Sequence, residues 1–171
     1  VMEIICCLDE QLELSRQENS NLILKYLGKH DDFYLDVLTG AYNRRFYEEK
    51  IKHQTTPAGI VMLDVDDFKI YNDTFGHDFG DRVLKMIVEH IKNSLRNQDK
   101  LIRYGGDEFI IYLPNIEIED FYLIMQNILE NIHHATIRRY ESVQFSLSAG
   151  ITMYQTGTIE EAVSLADHLL Y

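Results

Sequence analysis

Six aspartates, Asp64, Asp66, Asp67, Asp73, Asp78 and Asp81, crowd one stretch of the chain, and a further acidic pair, Asp107-Glu108, follows two adjacent glycines. Two carboxylates about 4 Å apart repel by about 1 kcal/mol in water and by about 4 kcal/mol at an effective dielectric near 20. A bound cation removes that repulsion. Magnesium suits such a set because it takes one or two carboxylates, water and substrate phosphate oxygens, and nothing in the sequence offers the cysteine or histidine spacing of a zinc site. For Asp66, Asp67, Asp73 and Asp78 a solvated loop is the simpler reading. Asp64 and Asp107 point to the metal, since both terminate strands at one expected edge of a sheet.

The elements that must position these groups follow from the apolar pattern. Gly59-Ile60-Val61-Met62-Leu63-Asp64-Val65 is β-branched and almost wholly apolar, the pattern of a central strand covered on both faces, with Asp64 as the first charge at its carboxyl end. Leu101-Ile102 and Phe109-Ile110-Ile111-Tyr112-Leu113 read as two more buried strands, so Gly105-Gly106 makes a tight reversal that presents Asp107 and Glu108. Glycine suits that turn through its access to positive φ and through a bare backbone that lets a bulky group approach. A hairpin whose turn is merely acidic fits the same residues.

Asn43 to Ile51 reads as an amphipathic helix with Phe46, Tyr47 and Ile51 inward. A polar loop is expected from Asp64 through Gly80, after which Asp81 opens a helix burying Val83, Leu84, Ile87, Val88, Ile91 and Leu95. A helix over roughly Ile118 to Ile132 and a strand over Ser142 to Met153 follow, with Gly150 marking a bulge or a close approach. Thr158-Ile159-Glu160-Glu161 is a capping box, and the last helix buries Ile159, Ala162, Val163, Ala166, Leu169 and Leu170. Alternating strands and helices predict a layered α/β domain with an antiparallel hairpin in its middle.

The 171 residues suit one domain plus an appended helix, and the apolar fraction of 46% and charged fraction of 26% are those of an ordinary globular protein. A net charge of -12 argues against DNA or RNA as a partner, because binders of nucleic acid gather lysine and arginine to displace counterions. A nucleotide remains compatible, held through a divalent cation. Cys6 and Cys7, adjacent, form neither a disulfide framework nor a metal spacing, so a reducing, cytoplasmic setting is expected. No apolar run reaches the length of a membrane span. The first residue is Val1 rather than methionine, which leads us to expect a fragment of a longer protein. Residues 1–35 favour helix: Ile5, Leu12, Asn19 and Tyr26 recur every seven positions, with Leu8, Ser15 and Leu22 between them. A dimerising coiled-coil stalk and a helix lying on its own domain both fit this seam.

Several of these segments together carry a family resemblance. Arg103-Tyr104-Gly105-Gly106-Asp107-Glu108-Phe109 resembles the signature of GGDEF domains, the diguanylate cyclases that join two GTP molecules into cyclic di-GMP. Asp36-Val37-Leu38-Thr39-Gly40 with Asn43-Arg44-Arg45 is similar to the family's entry motif. Leu63-Asp64-Val65-Asp66-Asp67-Phe68-Lys69, running on through Asn72-Asp73, Phe75-Gly76-His77 and Gly80-Asp81, resembles its substrate segment nearly position for position. Ser148-Ala149-Gly150-Ile151 and Ala166-Asp167 with Leu170-Tyr171 resemble its later landmarks. The resemblance spans 36–171 and implies a palm-like α+β sandwich: a central mixed sheet flanked by helices, a β-hairpin carrying the active-site turn, and an N-terminal helix ahead of it.

Carried over residue by residue, the resemblance implies a magnesium (or manganese) site made by the carboxylates of Asp64 and Asp107 and the backbone carbonyl of Val65. It implies that Asp107 is the base for the attacking 3′-hydroxyl, that Lys69 offsets charge on the reacting phosphates, and that Glu108 assists or supports the turn. Asn72 and Asp81 would read the guanine edge, with His77 and Phe68 beside them and Gly105 and Gly106 leaving room for the nucleotide. The aspartate at 81 implies GTP on both sides, since relatives that make mixed cyclic dinucleotides replace it. For Asp81 a helix cap, and for His77 a loop-packing histidine, are the plain structural alternatives. Arg96 and Asp99 stand where many members carry a product-inhibition site. Family members continue past Leu170-Tyr171 with a lysine and an arginine that grip the β- and γ-phosphates, and this sequence stops there. The function implied is a homodimer of half-sites that makes cyclic di-GMP and two pyrophosphates, driven by an upstream sensor or receiver domain. A catalytically silent module that senses GTP or cyclic di-GMP is the alternative, and another palm-like nucleotidyl cyclase or polymerase is a third reading.

Overall fold

The apolar run at Gly59 to Val65 is the centre of the sheet. It forms β2 (Ala58–Val65), paired antiparallel with β4 (Glu108–Pro114) on one side and β5 (Leu147–Tyr154) on the other. Beyond β4 lies β3 (Lys100–Arg103), antiparallel to it, and the short β1 (Tyr42–Asn43) pairs in parallel with β3, giving the order β1-β3-β4-β2-β5. The computed structural model describes residues 33–170, of which those from Leu35 onward belong to one compact unit. The heptad seam read in 1–35 and the Cys6-Cys7 pair lie outside the described residues, save for the last three positions of that segment.

Strand side chains alternate between faces, and here both faces are covered, which explains why β2 and β4 are apolar at nearly every position. Val61, Leu63 and Val65 of β2 and Phe109, Ile111 and Leu113 of β4 pack with α3 (His77–Ser94) and α4 (Ile118–His133). Ile60, Met62, Ile110 and Tyr112 pack on the opposite side, with the π-helical turn Tyr47–Ile51 that continues α1 (Arg44–Phe46), and with α5 (Ile159–His168). Each such large side chain contributes about 1.5–3 kcal/mol by leaving water. The hairpin tip therefore hangs from rigid strands. The mixed sheet flanked by helices is the architecture expected from the sequence. No helix among the described residues is long and apolar enough to cross a membrane.

The stretch expected to be a polar loop through Gly80 is instead two helices. α2 (Phe68–Phe75) follows β2 almost at once, and α3 begins at His77, with Gly76 between them at φ 86°. Phe68, Tyr71, Phe75, Phe79 and Val83 keep a helical spacing that the intervening acids mask; Tyr71 and Phe79 are buried while Asp73 and Asp78 sit on exposed faces. Asp81 consequently lies in the second turn of α3 and is not its cap.

Two later boundaries also differ from expectation. β5 starts at Leu147 rather than Ser142, because the chain before it is irregular and drops Phe145 into the core. α5 begins with the expected capping box, Thr158 and Glu161 bonding reciprocally, but it ends at His168, which leaves Leu169 57% exposed.

Gly150 marks a close approach. A Cβ there would stand 1.8 Å from the Ala166 carbonyl oxygen of α5, a backbone atom that cannot swing aside. We therefore expect Gly150→Ala to push α5 off the sheet and to cost about 1–3 kcal/mol, the range for overpacked cores. Urea unfolding of the variant checks this; a midpoint equal to the parent's would contradict it.

Candidate active site

The turn between β3 and β4 spans Tyr104 to Asp107 and closes on itself through the Tyr104 and Gly105 amides, which donate to the Glu108 carbonyl at 2.9 and 3.2 Å. Neither glycine of this turn adopts positive φ; among the described glycines that conformation belongs to Gly40, Gly76 and Gly157. Positive φ is thus not what glycine supplies here. A Cβ on Gly105 would meet the Glu108 carboxylate at 2.2 Å, and a Cβ on Gly106 would meet nothing within 4 Å. The turn is bare on one side and folded under an acid on the other.

β2 brings the other acids to this tip. Asp64 is the register partner of Glu108 on β4, and the amide of Val65, the next residue, donates to the Asp107 carbonyl at 3.3 Å. Asp64, Val65, Asp107 and Glu108 thus converge at one edge of the sheet, with Asp66 following. The Asp64 carboxyl is pushed up to about 6, first by burial, then by the charges of Asp107, Glu108 and Asp66. Among the described residues no group of three or more carboxylate, histidine or cysteine side chains is arranged to hold a metal by itself. A cation at this edge would draw on two carboxylates, a backbone carbonyl and oxygens of a ligand, a donor set that magnesium accepts.

The raised Asp64 value has a thermodynamic sign. The folded state holds its proton to higher pH than the unfolded chain, so metal-free stability falls as pH rises from about 4 to about 6 and stays reduced above that. With EDTA present, Asp64→Asn is expected to be more stable than the parent at pH 7.5 by about 1 kcal/mol, since water screens much of the conflict, with the gap closing toward pH 4 and below. Urea unfolding at the two pH values measures this. Identical pH profiles for the two proteins would refute the electrostatic conflict.

The remaining predicted residues lie along α2 and the first turns of α3. Lys69 is exposed on the first turn of α2 and Phe68 beside it is half-buried against the core. Asn72 lies against the backbone of Gly80: a Cβ there would stand 2.0 Å from Asn72 Oδ1, so a side chain at 80 would displace the Asn72 amide. His77 and Asp81 are both exposed on α3, and the packing role considered for His77 does not occur. Arg96 and Asp99 sit elsewhere, after α3. The Asp99 carboxylate is fully buried and accepts from the Arg96 amide at 2.8 Å and from its guanidinium at 2.8 and 3.1 Å, while Arg96 Nη2 also donates to the Pro114 carbonyl. A groove of about 360 Å³ lies beside this pair, lined among others by Gly40, Tyr42, Lys92 and Leu95. Asp99 can act on a ligand there only through Arg96.

One pair of residues at the site was not foreseen from the sequence. Arg103 donates Nε and Nη2 to the Gly106 carbonyl at 3.1 and 2.7 Å and Nη1 to both Asp36 carboxylate oxygens at 3.2 and 3.1 Å. Asp36 also accepts from the amide and hydroxyl of Thr39. Burial alone would raise its carboxyl, yet the Thr39 and Arg103 bonds outweigh that and hold it below the usual range. Both residues stood inside recognisable motifs, but nothing in sequence distance hints at a contact across the chain.

Comparison with known proteins identifies the family. The family model described as "Diguanylate cyclase, GGDEF domain" matches residues 33–171, and the chain belongs to that family. Diguanylate cyclase DosC of Escherichia coli (strain K12) is 33% identical over 147 residues, covering 80% of this chain and 32% of DosC. Diguanylate cyclase SiaD of Pseudomonas aeruginosa, crystallised with its activator SiaC, superposes with a TM-score of 0.79 at 30% identity, covering 98% of this chain and 68% of that one. The coiled coil and GGDEF domain of DgcB from Caulobacter crescentus, solved with c-di-GMP, gives a TM-score of 0.82 at 23% identity over 96% of this chain and 92% of that one, a likeness of fold. The chain spans 24% and 32% of the length of two of the curated relatives it matches.

Proposed function

We propose that this chain is an active diguanylate cyclase domain that condenses two GTP into cyclic di-GMP and two pyrophosphates as a homodimer of half-sites. The observation that carries the reading is the convergence of Asp64, Val65, Asp107 and Glu108 at one sheet edge beside an open glycine turn. Magnesium, or manganese, fits this edge, with Asp64, Asp107 and the Val65 carbonyl as the protein's donors; when bound, it supplies positive charge to the triphosphate. Its charge would also relieve the conflict that lifts Asp64.

The chain's own groups supply the rest. Asp107 takes the proton from the 3′-hydroxyl as that oxygen bonds to the α-phosphorus of the GTP on the facing subunit, and the α–β phosphoanhydride bond breaks to release pyrophosphate. Repeated in the other direction, the same step closes the ring. Lys69 offsets charge on the phosphates, and Glu108 assists at the tip. Guanine presents N1–H and its 2-amino group as donors, and Asp81 accepts from both with Asn72, while Phe68 and His77 flank the base. Gly106 leaves the backbone open to the nucleotide, beside Gly105, over which the Glu108 carboxylate lies. Arg96, braced by Asp99, is our candidate for binding the product, since a guanidinium both stacks on guanine and pairs with phosphate. SiaD is crystallised with an activator, and we extend to this chain the expectation of a regulatory input, in the reducing cytoplasm where GTP is held.

Incubation with GTP and magnesium, with products separated by chromatography and identified by mass, tests the proposal. Cyclic di-GMP is the expected result. Nucleotide binding by calorimetry with no turnover, in magnesium and in manganese, would replace it with the silent sensing module.

A further inference from the structure

The segment Ser148-Ala149-Gly150-Ile151 contains one side chain that the proposed chemistry leaves without a task. Ser148 is the register partner of Asp64 across the β2–β5 ladder, and its hydroxyl donates to Asp66 Oδ1 at 2.6 Å. The bond is short for one between a hydroxyl and a carboxylate oxygen. The bond sits where β2 ends and the chain turns into α2, and the backbone around it is held from two directions. The Val65 amide donates to Asp107 on the hairpin side, and the Asp66 amide donates to the Ser146 carbonyl at 3.2 Å on the β5 side.

Directly after Asp66 the chain passes through Asp67 at φ 58°, a left-handed conformation uncommon for a residue with a side chain. Asp67 occupies the cap position of α2, yet its side chain makes no capping bond. The first turn of α2, which carries Lys69, is therefore not fixed by a cap of its own. Phe68 and Tyr71 anchor the helix to the core, and the Tyr71 hydroxyl donates to the Gln144 carbonyl at 3.0 Å, but the corner that leads into it is set by how firmly Asp66 is held, and the Ser148 hydroxyl is what holds the Asp66 side chain.

We infer that Ser148 is a positioning residue for the phosphate-facing corner between β2 and α2, acting through Asp66 to set the Val65 carbonyl and the Lys69 helix turn. The inference rests on the reading of this edge as a GTP-condensing centre. Ser148 touches no reacting atom; it fixes the corner that does.

Ser148→Ala, Ser148→Thr, Asp66→Ala and the double alanine variant test it. Ser148→Ala is expected to lower kcat about 10- to 100-fold, the factor that corresponds to a hydrogen bond to a charged group, with KM for GTP within about threefold because the guanine readers are untouched. Ser148→Thr keeps the hydroxyl and is expected to restore kcat to within about threefold of the parent. The double variant should be no slower than the slower single one, since both remove one interaction. In the nucleotide-free and metal-free protein, hydrogen exchange of the Asp66 amide should be at least about tenfold faster in Ser148→Ala, while the Met62 amide inside β2 keeps its rate. An unchanged kcat, a threonine variant as slow as the alanine one, additive losses in the double variant, or unchanged exchange at Asp66 would each overturn the assignment. If the parent makes no cyclic dinucleotide, the cyclase reading fails, and the exchange measurement still decides whether Ser148 holds the corner.

Discussion

Asp107→Asn is expected to abolish cyclic di-GMP formation, lowering the rate by about 10³-fold or more, and to leave the fold intact. The size follows from the proposed role: a positioned general base contributes about 10²–10⁴-fold, and this carboxylate is also a proposed cation donor. Asparagine keeps the shape, accepts hydrogen bonds through one oxygen, and can neither take a proton nor bring a negative charge to a cation. The tie between Asp107 and β2 runs through its backbone carbonyl, which accepts from the Val65 amide, and the substitution does not alter that bond. Its charge is one of the causes that lift the Asp64 carboxyl. Removing it therefore leaves metal-free stability at pH 7.5 unchanged or slightly higher. Product assays by chromatography and urea unfolding on the same preparation separate the two effects. Activity within tenfold of the parent would remove Asp107 from the base and donor roles.

Arg103→Ala is expected to damage the site through geometry. The guanidinium joins the Gly106 carbonyl at the hairpin tip to the Asp36 carboxylate, and both side chains are largely shielded from water. Deleting it leaves a half-buried carboxylate with only its Thr39 partners and frees the tip. We expect a loss of about 2–3 kcal/mol in stability, at the lower edge of what breaking a shielded ion pair costs. A fall of about 10- to 100-fold in kcat should accompany it, because small displacements of reacting groups are costly. Arg103→Lys should not rescue either quantity. A single ammonium cannot reproduce the fork that reaches Gly106 and Asp36 together. Asp36→Ala should give a similar phenotype, and the two losses should not add. Thermal unfolding and steady-state kinetics of the three variants and the double alanine variant measure this; full activity with a lowered melting temperature would confine the pair to stability.

The acids at the tip were legible because they interrupt apolar runs. Asp64 is the first charge after a strand that is otherwise buried, and Asp107-Glu108 follows a glycine pair between two apolar segments. Covered strands and a signature turn are local patterns, and local patterns survive in one dimension. The α2–α3 region was harder. Its aromatic positions at helical spacing are diluted by Asp73, Asp78 and Asp81, and composition alone made it a polar loop. Amphipathic helices near a site lined by acids carry both signals at once, and only the packing of Tyr71 and Phe79 shows which one prevails.

Chain order and residue type by themselves determined the central strand, the acidic turn, the capping box and the family to which these belong, because each is encoded by neighbours within a few positions. Tertiary structure decided what lies beyond that reach. It assigned Gly150 to the carbonyl of Ala166, Arg103 to Asp36, and Ser148 to Asp66. Each of these joins residues that sequence distance separates or leaves unmarked. Their meeting is set by strand register and helix packing, so the contacts exist only once the sheet has closed.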